Sequence, residues 1–228
     1  MDASGISNDD HVVIYGREGC VFTPRTHFLF RSLGHDPSRV HLMQGSFEEW
    51  ARRGGAVNTG PTTVPFWAED LVALLKGSEG APPSPPRYRA RDAANVCSLD
   101  RVMAALKEVD DKDGEDTLIL DPRGTSFAGG HIPGAINVPY LSIVEADDWL
   151  KFRPRKDLLG VFLSAGVDVA TDRPVILTCG SGVSVCHLFL ALEECGRDNS
   201  NTVIYDGSWA EWGSESGTPK VVDKEGES

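Results

Sequence analysis

The stretch PVILTCGSGVSVCHLFLALEECG, Pro174–Gly196, decides the fold. It opens on a β-branched apolar run, Val175–Thr178, of the length of a buried strand. Cys179 then enters a turn holding Gly180 and Gly182, and an apolar stretch of helical length, Val183–Cys195, stops at Gly196. Glycine is the residue type that closes helices, so the stretch reads as strand, tight turn and helix. In open α/β sheets ligands gather at the carboxyl ends of strands, which is where Cys179 falls. Glycines let the backbone curl until several amides face one centre, and a helix N-terminus adds partial positive charge there. Both effects favour a thiolate, so the pattern predicts a nucleophilic cysteine of lowered pKa. The same local pattern also fits a cysteine that simply packs at a strand end.

The unit occurs twice. Residues 12–15 (VVIY) match 175–178 (VILT), and each run leads through a glycine-bearing turn into a helical stretch, Arg25–Leu33 in the first case. These stretches end at Gly34 and Gly196, and second strands follow at Val40–Met43 and Thr202–Tyr205. The phrases GSFEEW, 45–50, and GSWAEW, 207–212, then stand 162 residues apart. In this alignment Gly16 occupies the place of Cys179, so Cys20 is not expected to be a second nucleophile. Phe47 and Trp50 repeat Trp209 and Trp212, which favours packing for these aromatics, with Trp209 a candidate for lining a ligand pocket.

The second copy has an upstream half of its own. It holds a helix over Leu99–Val109 with Val102, Leu106 and Val109 at helical spacing. An acidic loop (110–116), a strand TLIL (117–120) and the phrase DPRGTSFAGGHIPGAINVP (121–139) follow. The first copy has no such half in this sequence, so its strand and helix must bury themselves against the second unit or against residues 67–75, or remain poorly ordered. The reading is therefore a partial repeat at 1–55, a Pro/Gly-rich linker at 56–90 with a short helix over Trp67–Lys76, a complete domain at 91–215 and a flexible tail at 216–228. Strands alternating with helices predict an α/β fold, a parallel sheet flanked by helices on both faces.

Composition narrows the function. At 40% hydrophobic and 25% charged residues the chain can bury a core. Its 22 basic and 34 acidic residues give a net charge of −12 with no basic stripe, which argues against nucleic-acid and anionic-membrane partners. No apolar run reaches the roughly 20 residues of a membrane helix. The N-terminus carries Asp2, Asp9 and Asp10 and reads neither as a secretory signal nor as a transit peptide. Five scattered cysteines without a CxxC pair point to a reducing compartment, with no metal site and no cofactor. A phosphatase would need an arginine six residues after the cysteine, where this chain has Val185. Cys186 reads as core, with a resolving thiol the alternative, and Cys195 as packing; His131 reads as a turn-fixing residue, with proton transfer the alternative, and His187 as a hydrogen-bonded helix residue rather than a ligand.

CGSGVS, with DPR…GHIPGAINVP upstream and YDGSWAEW downstream, resembles the catalytic domain of the rhodanese superfamily. More narrowly, the chain is similar to the two-domain sulfurtransferases, and CGSGV to their 3-mercaptopyruvate group. Thiosulfate-specific members place a basic residue where this chain has Gly180. The resemblance implies a complete catalytic domain, a truncated inactive first domain, and sulfur transfer from 3-mercaptopyruvate or thiosulfate to a thiol or cyanide through a persulfide on Cys179. The amides of Gly180, Ser181, Gly182, Val183 and Ser184 would hold the sulfur, Ser181 would relay a proton, and Arg123 would help bind the donor carboxylate. Partners would be a small-molecule sulfur donor and a thiol acceptor such as thioredoxin. The protein would be a monomer in the cytoplasm, or in mitochondria if a presequence precedes Met1.

Two departures bear on that implication. The family's second arginine, four residues after the first, is Phe127 here. The histidine and aspartate of the family's Ser–His–Asp relay belong to the half of the first domain with no counterpart in this chain. The alternative implied is a rhodanese-like module that binds or regulates without catalysis.

Overall fold

The computed structural model describes residues 6–60, 88–92, 95–108 and 117–223. The N-terminal part runs β1 (Val12–Ile14), α1 (Thr23–Ser32), β2 (Val40–Leu42) and α2 (Phe47–Arg52). The larger part begins with β3 (Val96–Cys97), α3 (Leu99–Glu108), β4 (Leu118–Asp121) and β5 (Ile136–Asn137). A hairpin of β6 (Val144–Glu145) and β7 (Asp148–Phe152), then α4 (Arg155–Ser164), lead to β8 (Val175–Leu177), α5 (Val185–Glu194), β9 (Thr202–Tyr205) and α6 (Ser208–Trp212).

The sheet of the larger part is fully parallel, in the order β3-β9-β8-β4-β5. Successive side chains on its central strands go to opposite faces, and each face has its own core. Leu118, Leu120, Val175, Leu177 and Ile204 pack with α4 and α5, whose Leu158, Phe162, Leu188 and Leu192 are almost wholly buried. Ile119, Ile176 and Tyr205 face the other way, onto Val102 and Ala105 of α3 and Trp212 of α6. Because both faces are covered, the strands read as continuous apolar runs, and the α/β architecture is the one expected.

Helix boundaries agree with the sequence reading to within two or three residues. The β6–β7 hairpin and α4 are additions to the sequence reading, although α4 stops at Gly166 (φ +77°) just as α1 and α5 stop at Gly34 and Gly196. The short helix expected over Trp67–Lys76, the proline run 81–86 and the acidic loop 110–116 lie outside the described residues.

The N-terminal unit is docked on the larger one. β1 and β2 pair in parallel, and Ile14, Phe30, Val40 and Tyr88 close a small core over them. Tyr88 lies in the segment read as linker, yet it is buried here, and Arg91 N–H donates to Leu33 O at 2.9 Å. α1 lies along α5, with Phe28 against Phe189 edge-on at 5.1 Å and Arg31 paired to Glu193 through two bonds of 2.6 and 2.7 Å. Gly45 N–H donates to Leu150 O, and Ser46 N–H to the buried Asp148 carboxylate at 2.7 Å.

The tail needs a correction. Residues 214–223 are laid back on the domain: Thr218 is buried and donates to Trp212 O, Trp212 Nε1–H donates to Pro219 O, and Val221 pairs with His131. Polar composition suggested mobility, but backbone bonds to β4–β5 loop residues anchor this segment as far as Asp223, whose N–H donates to Ala128 O.

Candidate active site

β8 delivers Thr178 and Cys179 to the carboxyl edge of the sheet, between β4 and β9. The chain then turns through Gly180–Ser184 before α5 begins at Val185. Gly182 has φ +76°, a conformation that glycine adopts without penalty, and Asp206 occupies the space a Cβ would need. The turn is closed from the other side by α6, where Trp209 N–H donates to Cys179 O and Ala210 N–H to Gly180 O, both at 2.9 Å.

Cys179 is buried, with 1% of its surface exposed. Its sulfur accepts a hydrogen bond from Gly182 N–H at 3.2 Å and has the Ser208 hydroxyl 3.9 Å away. Of the amides from Gly180 to Ser184, the one that bonds the sulfur in this structure is that of Gly182. Ser181 is exposed, and Val183 and Ser184 are half-buried at the start of the helix. No side-chain atom stands within 4 Å of a Cβ placed on Gly180, so the loop is open at that residue.

Ser208 is the residue that the sequence reading missed. It is fully buried and takes φ +52°, unusual for a side chain other than glycine. Its Oγ donates to Tyr205 O at 2.8 Å and accepts from both Cys179 N–H (3.2 Å) and Gly182 N–H (3.1 Å). It therefore ties the two ends of the cysteine turn. The signal was available in the phrase GSW, but an identical GS in the first copy masked it.

Arg123 is 8% exposed and committed to neighbours. Nε and Nη2 bond both oxygens of Asp121 at 2.7–3.1 Å, and Nη2 also donates to Gly130 O at 2.9 Å. The guanidinium lies 5.1 Å from the Trp209 ring centre, so Arg123 touches the residue whose amide holds Cys179 O. Nη1, 3.5 Å from Ser126 O, is the guanidinium nitrogen with capacity left for an anion. Phe127, in the place of the second arginine, stacks on His131 at 4.0 Å. His131 Nδ1 meets Phe127 O at 3.2 Å, a turn-fixing arrangement.

The other thiols separate clearly. Cys186 points into the core toward Gly182 O at 3.7 Å, and burial pushes its pKa up to about 12. Burial likewise raises Cys195, and raises Cys97 to about 11. Cys20, half-exposed at the start of α1, has its pKa lowered chiefly by the Thr23 hydroxyl. His187 departs from expectation: it is fully buried beside Tyr140 and Phe152 with neither ring nitrogen hydrogen-bonded, and burial depresses its pKa to about 4. Among the described residues no cluster of three or more His, Cys, Asp or Glu could hold a metal, and no helix is long and apolar enough to cross a membrane.

A parallel α/β sheet that ends in a glycine-turned cysteine above a helix N-terminus defines the class of site. Residues 103–215 match the rhodanese-like domain, and this part of the chain belongs to the rhodanese superfamily. It is 30% identical over 216 residues to the thiosulfate sulfurtransferase of Rattus norvegicus, an alignment covering 91% of this chain and 64% of that protein. It is also 30% identical over 213 residues to the 3-mercaptopyruvate sulfurtransferase of Mus musculus, again with 91% and 64% covered. The chain thus spans less than two thirds of the length of these relatives. Its fold is that of the crystal structure of SseA from Escherichia coli, described as a 3-mercaptopyruvate sulfotransferase (TM-score 0.65, 24% identity, 90% of this chain and 69% of that chain).

Proposed function

We propose that the protein is a sulfurtransferase that carries sulfur on Cys179, taking it from 3-mercaptopyruvate or thiosulfate and passing it to a thiol or cyanide. The observation that carries this reading is the cradle around one sulfur atom: the Gly182 amide on Sγ, the Ser208 hydroxyl behind it and open space beside Gly180. The relatives matched are named for both donors, so the donor class rests on the loop sequence, where Gly180 stands in place of a basic residue.

In the first half-reaction the Cys179 thiolate attacks the donor sulfur. The carbon–sulfur bond of 3-mercaptopyruvate breaks, and its electron pair leaves on the enolate, which takes a proton to give pyruvate; from thiosulfate the leaving group is sulfite. The persulfide formed bears charge on its outer sulfur, and a fixed amide donor in a dry turn stabilises that charge without reorganisation. In the second half-reaction the acceptor thiolate attacks the outer sulfur and Cys179 leaves as thiolate. Arg123 Nη1 and the exposed Ser181 hydroxyl are the groups for the donor carboxylate and its proton. The partners of this reading are the small-molecule donor and a thiol acceptor, and a reducing compartment suits both.

The test follows thiocyanate from purified protein supplied with cyanide and either donor, together with the Cys179→Ser variant. One added sulfur on the Cys179 peptide after donor alone, and loss of turnover in the variant, are expected. An unmodified peptide, or turnover that survives the serine, overturns the proposal and leaves a non-catalytic rhodanese-like module.

A further inference from the structure

We infer that Arg25, on α1 of the N-terminal unit, is a positioning residue that holds the Cys179 turn in its working shape and sets the charge beside it. The inference rests on Cys179 being the sulfur carrier, and it gives the N-terminal unit a part in the chemistry. Arg25 stands 157 residues before the turn it touches.

Its Nη1 donates to Gly182 O at 3.0 Å and to Asp206 Oδ1 at 2.5 Å. Gly182 is the residue whose N–H bonds both Cys179 Sγ and Ser208 Oγ. Asp206 closes β9, two residues before Ser208, and its carboxylate sits 2.5 Å from where a Cβ on Gly182 would be. One guanidinium nitrogen therefore joins the turn that carries the sulfur to the segment that carries its supporting hydroxyl. Phe28 lies under the same guanidinium at 5.9 Å and anchors α1 in the core beside Phe189, so the donor atom is held in place.

The electrostatic part has a definite sign. The charged and titratable groups facing the turn are Arg25 from α1, Asp206 from the end of β9 and Cys186 from α5. Arg123 lies beyond Trp209. With Arg25 present, the Asp206 carboxylate is compensated. Without it, an unpaired negative charge remains against the turn and opposes ionisation of Cys179. The same loss frees the Gly182 carbonyl, so the N–H geometry on Sγ also loosens.

The experiment measures alkylation of Cys179 by iodoacetamide against pH, resolved by peptide, in the parent chain and in Arg25→Met, Arg25→Lys, Asp206→Asn and the Arg25→Met/Asp206→Asn pair. This readout needs no sulfur donor, so it separates the inference from the proposed activity. Arg25→Met should raise the alkylation midpoint and slow the reaction at pH 7 several-fold. Asp206→Asn should lower the midpoint, the pair should fall between the two, and Arg25→Lys should restore most of the parent value. With sulfur donor and cyanide, Arg25→Met should lower kcat more than it raises KM. A folded Arg25→Met chain with the parent midpoint and kcat overturns the inference. Should Arg25→Met not fold, Asp206→Asn decides: a midpoint equal to the parent's means that Arg25 merely docks the two units.

Discussion

Residues 12–52 and residues 175–212 pass through the same succession of strand, turn, helix, strand and short helix, and even share a hydrogen bond. Phe47 N–H donates to Gly16 O at 2.8 Å, as Trp209 N–H does to Cys179 O at 2.9 Å. Yet the first turn has Gly16, where a Cβ would run into the Thr23 hydroxyl and Leu150, while the second has room for a cysteine. The serines of the shared GS phrase differ as well. Ser46 is an ordinary helix cap whose Oγ accepts from Glu49 N–H at 3.2 Å, whereas Ser208 is turned to positive φ beneath the thiol. The final tryptophans diverge too: Trp50 is 46% exposed and Trp212 is wholly buried. The same local frame thus serves packing in one place and chemistry in the other, and what differs is the space and support around a single turn.

The sharpest way to break this contrast is at the glycines. Gly182→Ala forces a Cβ within 2.5–2.9 Å of Asp206 at positive φ, and should cost about 2 kcal/mol or more and remove sulfur transfer. Gly180→Ala, with open space around it, should leave the denaturation midpoint close to that of the parent. Gly16→Cys should destabilise the chain without creating a second persulfide site, as mass spectrometry after donor treatment would reveal.

Acid acts on both units next. His187 in α5 and His27 in α1 are buried, and burial depresses both to about 4 from a usual 6.5. The folded state binds their protons more weakly than the unfolded chain, so stability is whole above pH 6.5 and is withdrawn as pH falls toward 4. The loss approaches about 3 kcal/mol per histidine. Chemical denaturation of His187→Phe at pH 7 and pH 4.5 should show a smaller acid loss than the parent; an unchanged loss would mean that this ring is not the sensor.

The serines come third. Ser208→Ala leaves the buried Cys179 amide without an acceptor and the Gly182 amide with only the Cys179 sulfur, and should cost about 1–3 kcal/mol together with a fall in kcat. Ser46→Ala should cost about 1 kcal/mol, as a lost cap does, with kcat per folded molecule unchanged. The smallest effect is at the thiols: at pH 7, Cys20 should alkylate faster than Cys97, Cys186 or Cys195, because its pKa is lowered and theirs are raised.

Much of the fold was legible from local pattern. Runs such as Val175–Leu177 and Thr202–Tyr205, punctuated by Gly34 and Gly196, mark buried parallel strands and the helices between them. The hairpin β6–β7 was not legible, because Asp148–Phe152 alternates over only five residues and no Asn-Gly type turn announces it. The tail was misread because anchoring bonds such as that of Val221 to His131 span ninety residues and leave no local trace. His187 was misread for a related reason: its neighbours Tyr140 and Phe152 belong to other elements.

The sequence by itself determined that a parallel sheet would present a cysteine on a glycine turn, since periodicity, β-branching and glycine placement are local properties of the chain. Only the tertiary structure decided what surrounds that sulfur. Ser208 and Asp206 arrive from the β9–α6 connection and Arg25 from α1, and the directions of their hydrogen bonds exist only once those parts are packed. Burial and charge at one atom are sums over neighbours distant in sequence, so no window of residues contains them.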